Sequence, residues 1–381
     1  MKIQLSKVNF DIKESRAIEK VLKSGWLTDG PVNARFEEAF AKYIGVKRAL
    51  TLNSCTAALQ LAIEAWQITG EVILPSFTFV ASANAVVRAG ATPVFADIEY
   101  GTCNIDPADI ARKITPRTQA IMVVHYAGQA CPMDKIIKLA AQHKLKIIED
   151  SAETIGGTYK KKKTGSFSIG CFSFFPTKNI TTGEGGMLTT NSDAFADKVK
   201  ALAGHGITKS TYERQLVQDP WHREANYAGY NFRMSSILAA IGAEQLKKLD
   251  GLNARRREHA GYLNKKLRFD EIDLPVELKE CRHVYQMYTI KVKNVARRDF
   301  ILGLRKKGVM ASVHFTPPVH LQRYYAQKYK RLIHGLTVTE NVANSIVTLP
   351  MHPWLTKKEL DYMVNSVSNV LRTLNRRRIC L

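Results

Sequence analysis

Two stretches of helical period come first. "SRAIEKVLKSG" (15–25) and "ARFEEAFAKYIG" (34–45) place apolar residues three or four apart and stop at glycine. Short apolar runs then alternate with helical ones. "RALTLN" predicts a strand and "SCTAALQLAIEAW" a helix. "EVILP" predicts a strand, "VASANAVVRAG" a helix and "TPVFADI" a strand. "DPADIARKI" predicts a helix capped by Asp106 with Pro107 in its first turn. "AIMVVHYAG" predicts a strand, "MDKIIKLAAQHK" a helix and "LKIIED" a strand. Alternating strands and helices, with strands apolar throughout, predict a parallel sheet covered on both faces.

After residue 164 the pattern changes. "SIGCFSFF" and "GGMLTT" predict strands, and "DAFADKVKALAG" a helix. Residues 234–267 form a long helical stretch that could carry the chain out of a first domain. Beyond it, strands such as "QMYTIKV" mix with helices such as "RRDFILGLRKKG" and "KKELDYMVNSVSNVLRTL". The expectation is a large domain over 1–250 and a small α/β domain over 251–381, with the boundary near Asp250. A chain of 381 residues fits this division, being too long for one ordinary core. No internal repeat or low-complexity linker interrupts it.

Composition changes this picture little. Hydrophobic residues make up 45% and charged residues 24%, ordinary values for a globular enzyme. No apolar run is long enough to span a bilayer, and the first twenty residues lack the apolar core of a signal peptide. Cysteines 55, 103, 131, 171, 281 and 380 are scattered without a CxxC pair. They read as reduced thiols of a cytoplasmic protein. Cys380 is next to last, so "RICL" is not a prenylation box. No metal site is expected.

The net charge of +22 is the unusual number. Basic clusters lie at Lys160–Lys163, Arg255–Arg257 and Arg376–Arg378. A nucleic-acid binder would show such a bias, but it would also show a recognisable binding module, and none is present. A solvated basic surface is the favoured reading. The charge also suits an anionic small substrate such as a nucleotide diphosphate.

Chemistry concentrates in "FSFFPTKNITTGEGGMLTT" (172–190). Lys178 stands between an aromatic run and a polar turn. A nucleophilic lysine gains from such a setting, because partial burial lowers the ammonium pKa. Asp150 ends an apolar strand, where open α/β sheets bind ligands. "RALTLNSCTAAL" passes from strand to helix through Asn53, Ser54, Cys55 and Thr56, and a helix start of this kind binds phosphate through free N–H groups. Ser173 adds a hydroxyl. An acid at a strand end, a phosphate-binding helix start and a partly buried lysine together are what pyridoxal 5'-phosphate (PLP) needs. Singly each is weak: an exposed lysine is the commoner case, and Asp150, Ser54 and Thr56 could be caps.

With those motifs in place, the chain resembles the DegT/StrS-type nucleotide-sugar aminotransferases, PLP enzymes of fold type I. The resemblance runs from "SGWLTDGPVNARFEEAFAKYIG" through "NSCTAALQLAI", "EVILPSFTFVASANAVVRAGATPVFADIE", "IIEDSAETIGG", "FSFFPTKNITTGEGGM" and "GYNFRMSSILAAIGAEQL" to "TLPMHPWLTKKEL". It implies Lys178 as the Schiff-base lysine and Asp150 as partner of the pyridine nitrogen. Thr56, Ala57 and Ser173 match phosphate contacts. Phe79 matches the aromatic residue stacked on the ring, with Phe77 as its rival. Glu153 falls near the cofactor's phenolic oxygen. Asn231 resembles the residue a neighbouring subunit gives to the phosphate, with Arg233 as its rival. Cys55 stands where many relatives have Gly, and Ser151 where many have Ala. Both are small, so the backbone could still approach the phosphate.

The resemblance further implies L-glutamate as amino donor, a nucleotide-linked keto-sugar as acceptor and a homodimer. A 4-keto-6-deoxy sugar is the leading acceptor, with 3-keto sugars also open. The product would serve amino-sugar, polysaccharide or glycoside biosynthesis. Two alternatives rank lower. Sugar-dehydratase relatives carry His in place of the lysine. A non-catalytic nucleic-acid-binding regulator is suggested by charge alone. His314 and His320, in "VHFTPPVHLQRYY" (313–325), either face the sugar or lie on the surface.

Overall fold

Capping residues set where the first helices begin. The computed structural model describes residues 1–8, 10–209, 211–215, 219 and 221–379, so Cys380 lies outside the described residues. Helix α1 (Ile12–Ser24) starts earlier than its apolar period predicts, because Asp11 and Glu14 cap it reciprocally. The Lys13 N–H donates to the Asp11 carboxylate at 2.7 Å, and the Asp11 N–H to Glu14 at 2.9 Å. Helix α2 (Pro31–Ile44) likewise begins early, on a proline in its first turn, and ends at Gly45 with φ 86°.

The chain then runs through β1 (Arg48–Leu52), α3 (Cys55–Ala65), β2 (Glu71–Pro75), α4 (Val80–Arg88), β3 (Thr92–Ala96), α5 (Pro107–Lys113), β4 (Thr118–Val124), α6 (Met133–Gln142) and β5 (Lys146–Asp150). A short hairpin, β6 (Thr158–Tyr159) and β7 (Lys162–Lys163), precedes β8 (Ile169–Ser173), β9 (Gly186–Thr190) and α7 (Asp193–Ala203). There follow α8 (Thr211–Gln215), α9 (Ser236–Lys266), β10 (Ile272–Asp273), β11 (Cys281–Arg282), β12 (Tyr288–Val292) and α10 (Arg297–Lys306). The last elements are α11 (Arg323–Lys328), α12 (Thr337–Ser345), β13 (Ile346–Leu349) and α13 (Lys357–Ile379).

Seven strands form one sheet in the order β1-β9-β8-β5-β4-β2-β3. Only β9 runs antiparallel to its neighbours, β8 and β1. Its reversal brings Gly186, at its start, to the same sheet edge as the carboxyl ends of the other strands. Strands β2, β8 and β9 are buried along their whole length, and β5 is buried beyond its exposed first residue, Lys146, as expected of a sheet with helices on both faces. At the exit of β4 the predicted strand stops short. The Tyr126 N–H donates to Asn104 and the Ala127 N–H to Glu153, both at 2.9 Å. Those side chains take the place of ladder bonds, and a single 3₁₀ turn results.

The second, three-stranded antiparallel sheet is β10-β12-β13. Its core holds Tyr288, Ile290, Phe300, Leu304, Val347 and Met363. Helix α9 serves both cores: Ala239, Leu246 and Leu249 pack with Phe36 and Phe40, whereas Ala260 and Leu263 join the second cluster. Strand β11 pairs with β6, so a segment beyond α9 returns to the hairpin of the first lobe.

The five described cysteines are free thiols. Among the described residues no helix is long and apolar enough to cross a membrane. The Lys160–Lys163 cluster is dispersed by local contacts. Lys160 pairs with Asp134 at 2.7 Å, Lys162 lies over Phe167 and Lys163 over Tyr43.

Candidate active site

A cavity of ≈ 400 Å³ opens at the carboxyl edge of the large sheet. Lys178 lines it from the β8–β9 loop, Asp150 and Glu153 from the end of β5, and Ser173 from the end of β8. Thr56 lines it from the start of α3, Phe79 from the start of α4, and His314 and Phe315 from the second lobe's side.

Each group is held by its element. Lys178 is mostly buried, and its Nζ lies 3.5 Å from Glu153 Oε1. Glu153 is fixed at its other oxygen by the Ala127 N–H. Asp150 is buried; the Ser82 hydroxyl donates to Oδ2 at 2.8 Å and the Ala152 N–H to Oδ1 at 3.2 Å. Thr78 in turn bonds Ser82 at 2.9 Å. Burial raises the Asp150 pKa above the usual carboxylate value, while the Ser82 hydroxyl, the Ala152 N–H and the charge of Lys178 oppose it. A buried carboxylate with two neutral donors gains from a cationic partner.

At the start of α3, Ser54 caps the helix by accepting the Ala57 N–H at 3.1 Å. Gly186 of β9 passes directly beneath. A Cβ there would lie 2.3 Å from Ser54 C and 2.5 Å from Cys55 N, so only glycine lets the strand approach the helix start. Burial raises the Cys55 thiol pKa, and Asp150 adds to the effect, so the thiol stays protonated beside the helix start.

Phe79 and Phe77 have different surroundings. Phe79 is 62% exposed and borders the cavity, whereas Phe77 is 1% exposed and packs with Tyr126 and Phe315. Asn231 does not border the cavity of its own chain. Its backbone pairs with Gly204, its carbonyl accepts from Asn53 at 3.4 Å, and the residue is exposed. Arg233 lies 3.3 Å from His205 in a separate pocket.

The two loop histidines part company. His314 borders the cavity, with Nδ1 2.9 Å from Thr348 Oγ1, and burial lowers its pKa. His320 is buried at 1% exposure, 2.6 Å from Ser76 Oγ and 3.2 Å from Glu340, and ties its loop to the end of β2.

Sequence reading missed Ser82 as a holder of Asp150. The signal was present, because Ser82 stands one helical turn after Thr78, but the contact with Asp150 spans 68 positions. Leu5, Ser6 and Met351 also border the cavity and carry no motif of their own.

The model of the DegT/DnrJ/EryC1/StrS aminotransferase family matches residues 9–368. The chain belongs to that family. Among curated members, the spore coat polysaccharide biosynthesis protein SpsC of Bacillus subtilis is 37% identical over 369 residues, 94% of this chain and 95% of SpsC. The GDP-perosamine synthase of Caulobacter vibrioides is 37% identical over 386 residues, 97% of this chain and 98% of the synthase. Among solved structures, Helicobacter pylori PseC, an aminotransferase of pseudoaminic acid biosynthesis, superposes with a TM-score of 0.92 at 30% identity, covering 98% of this chain and all of PseC. The PLP form of the putative sugar aminotransferase Spr1654 of Streptococcus pneumoniae gives 0.89 at 26% identity, over 98% of this chain and 100% of that one. This member of the DegT family is therefore a PLP-dependent sugar aminotransferase of fold type I.

Proposed function

We propose that the enzyme moves an amino group from L-glutamate to a nucleotide-linked keto-sugar, most simply a 4-keto-6-deoxy sugar. One observation carries the site assignment: Lys178 and the buried Asp150 border a single cavity whose wall includes the start of α3. The acceptor class draws support from the relative named for GDP-perosamine synthesis.

The residues present fit PLP. Asp150 is a buried carboxylate that makes no ion pair among the described residues, as a partner for a protonated ring nitrogen should be. Gly186 leaves room that a Cβ would fill at the helix start. When bound, PLP supplies an electron sink for the carbon that loses its proton. Lys178 holds the cofactor through its amine. With the cofactor bound, the same amine, once freed by an amino donor, would be placed to move the proton at the donor's α carbon. Asp150 would keep the ring nitrogen protonated, and Ser82 with the Ala152 N–H keeps Asp150 oriented. Phe79 would cover a ring face, Glu153 would meet the phenolic oxygen, and Thr56, Ala57 and Ser173 would take the phosphate, the Ala57 N–H being shared with its Ser54 cap. Asn231 serves the phosphate of a neighbouring subunit. The large domain covers 1–250 and the small one 251–381, and the enzyme works in the cytoplasm.

The test is spectroscopic, then chemical. Adding PLP to the apoenzyme gives the yellow absorbance of a lysine-bound cofactor, and Lys178→Ala abolishes it while the protein stays folded. A panel of nucleotide keto-sugars with glutamate then identifies the acceptor. Multiple turnover by Lys178→Ala would remove Lys178 from the mechanism.

A further inference from the structure

Beyond α10 the chain does not stay in the second lobe. It leaves at Ser312, which exchanges backbone bonds with Thr348 of β13 at 3.0 and 2.8 Å, and returns only at Ile346. In between, Val319, Tyr325 and Leu336 enter the core of the first lobe. Polar anchors hold this excursion there. The Tyr325 hydroxyl donates to Asn84 at 2.5 Å, and Lys113 Nζ donates to the His334 carbonyl at 2.6 Å. Asp97 accepts the N–H groups of Val338 and Thr339 at 3.0 and 2.7 Å. The start of the excursion, His314 and Phe315, walls the cavity. Just after it the chain is anchored at Ser76, through Val319 and His320.

This anchor is a fully bonded clamp. The Ser76 carbonyl accepts the Val319 N–H at 3.0 Å. The Ser76 hydroxyl accepts the His320 N–H at 3.1 Å and lies 2.6 Å from Nδ1. On the other side of the ring, Nε2 lies 3.2 Å from Glu340. A carboxylate only accepts, so Nε2 carries a proton. Burial lowers the His320 pKa and favours the neutral ring, whose Nδ1 then accepts from Ser76.

Ser76 begins a strip that reaches the chemistry. Phe77 packs against Phe315 and Tyr126, with ring centres 6.1 and 5.2 Å away. Tyr126 donates to the His314 carbonyl at 2.9 Å. Thr78 bonds Ser82, the holder of Asp150. Phe79 meets Phe315 at 6.2 Å. The same four residues thus carry the cofactor side at Thr78 and Phe79 and receive the opposite wall at Ser76 and Phe77. That wall is an aromatic ring and an imidazole whose pKa burial lowers. It offers no lasting cation to the two carboxylates of glutamate. It suits the C–H face and hydroxyls of a sugar.

We propose that His320 is a positioning residue for the sugar acceptor: by pinning the excursion to Ser76 it sets the register in which His314 and Phe315 stand opposite Phe79. The inference rests on the keto-sugar reading of this cavity. His320 does not border the cavity and acts only through the residues it holds.

The experiment separates the two half-reactions of the holoenzyme by rapid-mixing absorbance. L-Glutamate is one probe, and a panel of UDP-, GDP- and dTDP-linked 4-keto-6-deoxyhexoses is the other. His320→Ala raises the half-saturating keto-sugar concentration about tenfold, and leaves that of glutamate and the bound-PLP absorbance within about twofold. His320→Asn, whose amide oxygen takes the place of Nδ1, restores most of the loss. Hydrogen exchange of the apoenzyme gives a readout without cofactor or substrate. In His320→Ala the amides of 313–321 exchange about tenfold faster, and those of β2 and β5 keep their protection. If His320→Ala does not fold, Ser76→Ala carries the same comparison with the Glu340 bond still in place. Equal losses for glutamate and keto-sugar would show plain structural damage and overturn the inference. Unchanged keto-sugar saturation would overturn it as well. If the wild-type enzyme accepts glutamate but none of the keto-sugars, the acceptor reading itself fails and the inference goes with it.

Discussion

Asp150 is a buried carboxylate and Glu37 a half-buried one; both have raised pKa values, and they differ in what a neighbour can do for them. Asp150 borders the cavity, so a cationic ligand can compensate its burial. Asp150→Asn removes that charge while keeping the shape. It is expected to retain PLP but to lower kcat by about 10²–10⁴-fold, because a neutral amide cannot stabilise a protonated ring nitrogen. Wild-type kcat in the variant would reduce Asp150 to a structural role. Glu37 has no such ligand. It accepts from the Thr51 N–H and hydroxyl, each at 2.7 Å, and burial pushes its pKa from 4.5 up to about 7. A carboxyl whose folded pKa is raised adds stability below its unfolded pKa and loses it as pH rises through the folded value. The contribution therefore disappears between about pH 4.5 and about pH 7. Glu37→Gln is expected to flatten that loss by about 1–3 kcal/mol, read from denaturant midpoints at several pH values.

At the scale of elements, the decisive contact is between β9 and the start of α3. Neither segment announces the other, since Gly186 and Ser54 are far apart in sequence. Gly186→Ala is expected to cost about 1–3 kcal/mol and to weaken PLP retention, because a Cβ would meet backbone atoms that cannot swing away. Thermal unfolding with and without PLP measures both effects, and an unchanged variant would mean that the helix start yields easily. The strand–helix alternation was legible because each strand is a short apolar run between polar turns. The early starts of α1 and α2 were less legible, since Asp11 and Glu14 act through a capping box and Pro31 through its fixed φ in the first turn, not through period. Strand β10, the β6–β7 hairpin and β11 have two residues each, too few to show a period.

For the whole molecule the open position is Asn231. Its backbone is tied to Gly204 and Asn53, while the residue stands exposed and outside its own chain's cavity. A homodimer in which each subunit lends Asn231 to the other's phosphate follows from the proposed function. Mixing Lys178→Ala with Asn231→Ala under subunit exchange would then create one site lacking both residues and one lacking neither. Activity above both parents is the expected result. No recovery, with exchange shown by mass, would confine Asn231 to its own chain.

The motifs alone pointed to the lysine, the acid and the helix start, because each is a local pattern with a chemical reason. Lys178 follows an aromatic strand, Asp150 ends an apolar one, and Thr56 stands in the first turn after a capping serine. The tertiary structure decided everything that depends on which segments meet. It placed Phe79 at the cavity and Phe77 in the core, though two positions apart they share the same residue type. It turned His314 toward the cavity and buried His320 against Ser76, across 244 positions. It also buried Arg256 with no carboxylate partner among the described residues, whereas in sequence it is one of three adjacent arginines. Local pattern records what a residue type can do. Long-range packing chooses the dielectric and the partners, and these decide whether it does it.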